Sequence, residues 1–155
     1  MKLFNIEASK NLTLPDMYIN IGHFLDHFMM LIFAKAAFDA GRHFGLSYDE
    51  IIIYGTLGLF LFGAAAPLAG WLADKYSRSL IIIIYPFGVS LGAFLCFLSS
   101  SPIMLGFSIG VIGFFAAIFH PVGIAMLIRD SKKVGFRLGV NGVWGNMGAV
   151  SYTHL

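Results

Sequence analysis

Residues 51–73, IIIYGTLGLFLFGAAAPLAGWLA, contain no Asp, Glu, Lys or Arg. Crossing the hydrocarbon core of a bilayer takes about 20 apolar residues of helix, and a helix satisfies its own backbone groups where no water can. Similar stretches occupy 17–38, 80–98 and 102–128, and a shorter one begins at 138 and reaches 150. This recurrence restricts the chain to an all-α polytopic membrane helix bundle of about five helices, with the lipid bilayer as its main neighbour. Composition agrees: only 12% of the 155 residues are charged, against about 25% in soluble domains. The net charge of +2 gives no reason to expect nucleic acid. The single cysteine, Cys96, excludes a disulfide framework.

The segment ends carry helix punctuation. Ser47 and Glu50 have the spacing of a capping box before the second segment, and Ser101-Pro102 sets a capping hydroxyl before a first-turn proline. Gly41 is the expected close of the first segment. Glycine pairs Gly88/Gly92 and Gly106/Gly110 have the small-xxx-small spacing of close helix packing. With the N-terminus inside, Lys2, Lys10, Lys75, Arg78, Arg129, Lys132, Lys133 and Arg137 fall on the inner side and only Arg42 in an outer loop. This is a positive-inside bias. Lys35 lies where it snorkels to the outer headgroups. Trp71 and Trp144 fall near the inner interface.

The first segment holds a contradiction. Within INIGHFLDHFMMLIFAKA, residues 19–36, stand two histidines and an aspartate. An Asp at mid-membrane costs about 2.5–3.5 kcal/mol on insertion scales, so Asp26 is expected to face the bundle or a wet cavity. At helical spacing Asn20, His23 and His27 share a stripe, with Asp26 beside it, three positions from His23. In the fourth segment His120 lies about 7 Å inward of the midpoint, the same depth as His23. Pro121 lacks an N–H, which leaves the Ala117 carbonyl without its helical donor.

Between segments two and three the chain reads GWLADKYSRS. This resembles the G-x-x-x-D-[RK]-x-G-[RK] loop of the major facilitator superfamily. Gly70, Asp74, Lys75 and Arg78 match in place, and Ser77 stands where the family has its second glycine. The resemblance implies the N-terminal six-helix half of a twelve-helix transporter, with a C-terminal half to complete it around a central cavity. It makes Asp74 an inner-gate residue with Lys75 and Arg78 as charged partners, and Gly70 a point of close helix contact. The helix-one His and Asp with F119-H120-P121-x-G123 are similar to the branch containing fosmidomycin resistance proteins, which are proton-coupled exporters.

The expected function is secondary transport of a small molecule by alternating access across the cytoplasmic membrane, coupled to protons. His23, Asp26, His27, Asn20, His120 and Pro121 are the expected proton or substrate residues. Histidine suits the role because it titrates near physiological pH. No catalytic motif appears, so the chain is not read as an enzyme, and no cofactor is expected. No metal is expected either: His23 and His27 at i, i+4 with a third histidine elsewhere could hold zinc or another transition metal, but there is no His-Glu-x-x-His, no cysteine pair and no second acid nearby. Two other readings stand: histidines ligating haem in a redox protein, or a membrane-embedded partner subunit. The fifth segment breaks off into S151-Y-T-H-L155, which reads as a non-native tail on a truncated gene.

Overall fold

The computed structural model describes residues 12–129 and 131–154, so Lys2, Lys10 and Leu155 lie outside the described residues. Helix α1 spans Leu14–Phe44. Its first turn is fixed by a capping box: the Thr13 backbone N–H donates to Asp16 Oδ2 at 2.7 Å. It does not close at Gly41. It continues to Gly45, whose φ of 69° is the left-handed turn that favours glycine. Gly41 is instead buried within the helix, and its carbonyl accepts from the Leu46 N–H at 2.9 Å as the chain folds back.

Helix α2 spans Tyr48–Lys75. The Ser47 N–H and hydroxyl both donate to Glu50 Oε2, at 2.8 and 2.7 Å. A 3₁₀ turn at Ile53–Gly55 and a break at Ala65 divide it. Pro67 explains the break, since it offers no N–H to the Gly63 carbonyl. Helix α3 spans Arg78–Phe97 and is capped by Ser77, whose Oγ accepts from the Leu80 N–H at 3.4 Å. The serine in the position of the family's glycine therefore starts a helix. Helix α4 spans Pro102–Ile128, with Ser101 Oγ accepting from the Met104 N–H at 3.2 Å. Helix α5 spans Val134–Ser151 and ends in a 3₁₀ turn, Tyr152–His154.

Among the described residues, α1 to α4 are long and apolar enough to cross a membrane; α5 is shorter and less apolar and does not meet that measure. Helix α1 lies along α5, α3 lies along α4, and the middle of α2 crosses α4, which is the most enclosed helix. Glycine sets two of these contacts. A Cβ on Gly148 would fall on the Phe24 backbone of α1, and one on Gly113 would fall on the Gly58 backbone of α2. The expected pairs also lie at interfaces, Gly88 and Gly92 against Phe115 and Ile112, Gly106 and Gly110 against Tyr54 and Leu57.

The bundle is partly inverted relative to a water-soluble one. Phe97 is 82% exposed and Phe87 73%, which places apolar bulk where lipid belongs. The enclosed positions in the N-terminal half of α1 are mostly polar instead: Asp16, Asn20, His23 and Asp26, with Ile19 among them. In a bilayer this is the economical arrangement, because polar groups facing lipid have no partners.

Candidate functional site

Helices α1, α2, α4 and α5 converge on the histidines. His23 and His27, one turn apart on α1, have ring centroids 4.8 Å apart. His120 of α4 stands 5.2 Å from His23 and 5.5 Å from His27. The equal depth read from sequence thus becomes direct proximity. Phe62 of α2 meets His120 edge-on at 5.6 Å, and Phe119 stacks on His23 at 5.1 Å. His23 is buried; His27 and His120 are half-buried.

Asp26 is 1% exposed. Its Oδ2 lies 3.4 Å from His120 Nδ1, in ion-pair range, yet neither atom makes a hydrogen bond to the protein, nor does Asp26 Oδ1. A buried carboxylate with no donor is costly. His23 is held from behind, its Nδ1 2.8 Å from the Asn141 carbonyl of α5. A carbonyl only accepts, so Nδ1 carries the hydrogen and Nε2, which is buried and has no partner, keeps its lone pair. Asn141 Nδ2 also donates to Asn20 Oδ1 at 2.9 Å. Asn20 therefore joins α1 to α5 and does not itself reach the histidine group.

Pro121 acts through backbone form. Phe119–Gly123 is a π turn within α4. The ring of Pro121 crowds the Ala117 carbonyl and lacks its donor, and a wider turn relieves both. Gly70 of α2 packs toward Pro121 at ordinary contact distance: a Cβ there would lie 3.6 Å from Pro121 Cβ. The π turn thus adjoins the C-terminal end of α2. Beyond it, Asp74 Oδ1 and Arg78 Nη2 form an exposed i, i+4 pair at 2.9 Å, and Lys75 Nζ lies 4.7 Å over the Trp71 ring.

The sequence reading missed Asn141, Tyr85 and Arg137. Tyr85 of α3 donates its hydroxyl to the Gly22 carbonyl at 3.1 Å. Arg137, counted only as an inner positive charge, is largely buried. Its Nη1 lies 3.3 Å from Asp16 Oδ1 and donates to the Leu127 carbonyl at 3.2 Å, joining the start of α1, the end of α4 and the start of α5. A polar residue in a glycine-rich apolar run, as Asn141 is, was the available signal for the first. A groove of about 500 Å³ between the N-terminal halves of α1 and α3 is apolar and includes none of the three histidines. The haem reading needs two rings opposed across a macrocycle; His23 and His120 meet at 86°, edge to face.

No curated protein and no solved structure matches the chain. The sequence profile of the Major Facilitator Superfamily matches residues 19–152, nearly the whole of the described bundle. With its apolar helices and all-helical fold, the chain belongs to the major facilitator superfamily of membrane transporters.

Proposed function

We propose that this chain is the N-terminal half of a proton-coupled secondary transporter of the cytoplasmic membrane, with its N-terminus inside, working as an exporter of a small molecule. The observation that carries the coupling is the Asp26–His120 contact: a fully enclosed carboxylate, without a hydrogen-bond donor, 3.4 Å from an imidazole on another helix. Two such groups between helices give a proton two neighbouring acceptors. Moving α1 against α4 changes their separation, so proton occupancy and helix position are linked. His23 and His27 extend the acceptor group, and Asn20 and Pro121 set its geometry. The charged loop of Asp74, Lys75 and Arg78, with Gly70 beside the π turn, is the inner gate, closing against a second half of the fold.

The test is infrared difference spectroscopy of the chain in lipid between acid and alkaline buffer. A carboxyl band that titrates and is lost in Asp26→Asn, with the helical amide signal retained, is the expected result. A spectrum unchanged by that substitution would sink the assignment. In vesicles under an imposed pH gradient, the same variant is expected to abolish gradient-driven substrate movement.

A further inference from the structure

We infer that His23, His27 and His120 form a binding site for a divalent transition-metal ion. One ligand nitrogen from each lies within 4.8 Å of the other two. For three atoms at that spacing the centre is about 2.8 Å from each, whereas zinc–imidazole bonds are about 2.0–2.1 Å. Each nitrogen needs to move inward by roughly 0.7 Å, a small side-chain rotation within the spread of one rotamer well. The helices therefore stay where they are.

Proximity is the weaker half of the argument; orientation is the stronger. A metal-bound histidine usually gives its second ring nitrogen to a carbonyl or carboxylate, which fixes the tautomer and aims the ring. Two of the three rings already have such a neighbour. His23 Nδ1 is fixed on the Asn141 carbonyl, which leaves Nε2 buried, unpartnered and basic. His120 Nδ1 faces the Asp26 carboxylate. That carboxylate supplies negative charge beside a dication, and both its oxygens are without donors. Three neutral imidazoles with one nearby acid suit zinc, cobalt, nickel or iron(II) rather than calcium or magnesium, which take oxygen ligands. Half-buried His27 and His120 leave a way in. By spacing alone the α1 pair needed a third histidine from elsewhere in the chain; the packing of α4 brings His120 to it.

This site does not depend on the proton reading, because it is set by where the rings lie. Metal and proton compete for the same lone pairs, so both can belong to one group of residues. The test is titration of the purified chain, in detergent and without a polyhistidine tag, with Co²⁺ alone. Saturable binding with the visible absorption of nitrogen-coordinated cobalt is expected. His27→Ala and His120→Ala should each weaken it about tenfold or more, and His43→Ala, on an exposed residue of α1, should leave it unchanged. No saturable binding, or binding indifferent to the first two substitutions, overturns the site. If those variants lose helical circular dichroism, the native protein decides: a hydrated-cobalt spectrum overturns the site and a nitrogen-coordinated one supports it. The titration uses no gradient and the infrared test uses no metal, so failure of either reading is seen separately.

Discussion

At the scale of single residues, the chain spends its few polar groups on joining helices. Asp16 and Arg137 form a largely enclosed pair with the Leu127 carbonyl beside it. Removing one partner strands the other charge, which costs more than the pair itself contributes. Arg137→Ala should lower stability by about 2–3 kcal/mol, read as an earlier thermal unfolding in detergent. Asp16→Ala combined with Arg137→Ala should recover part of that loss, because no lone charge remains. Equal unfolding of the single and double variants would show that the pair does not act as a unit. Asn20, His23 and Asp26 recur at intervals of three, so their closeness on α1 was legible in the sequence. The stripe read there took in His27 and left out Asp16, whereas the enclosed one takes in Asp16 and leaves His27 half-buried. The partners of the enclosed residues were not legible, because Asn141 and Arg137 lie more than a hundred residues away along the chain.

At the scale of elements, glycine and proline decide the contacts. Gly113 sits on the Gly58 backbone, so Gly113→Leu should force α2 from α4 and destabilise by at least about 2 kcal/mol. Gly63, also helical, has open space where a Cβ would go. Gly63→Ala should be neutral or stabilising by up to about 1 kcal/mol. Equal effects from both, measured by thermal unfolding, would remove close packing as the reason for Gly113. Pro121→Ala restores an N–H at the π turn. It should make α4 regular, turn His120 away from Asp26 and raise thermal stability while lowering proton or cobalt uptake. Helix caps at Ser47 and Ser101 were readable beforehand because capping is local. The close of α1 was misplaced by one turn for the same reason: Gly41 and Gly45 are both local candidates, and the chain's return over Gly41 chooses between them.

At the scale of the whole molecule, the positive-inside bias makes a topological claim. With Cys96 replaced by Ala, a single cysteine at Ser131 should react with an impermeant maleimide only in inverted vesicles. One at Arg42 should react only in intact cells. The opposite pattern would reverse the orientation and move the Asp74–Arg78 loop to the outer face.

The sequence by itself determined the membrane, the helices and the family, because each is written locally: apolar length, cap chemistry and a short loop motif. It also determined that Asp26 must be enclosed, since lipid offers it nothing. Tertiary structure alone decided what encloses it. The 3.4 Å approach of His120, the Asn141 carbonyl behind His23 and the meeting of three imidazoles depend on how α1, α4 and α5 pack. Helical periodicity states which face a residue occupies, but the rotation and crossing of two helices are fixed by glycine contacts spread along both, and no single segment contains that information.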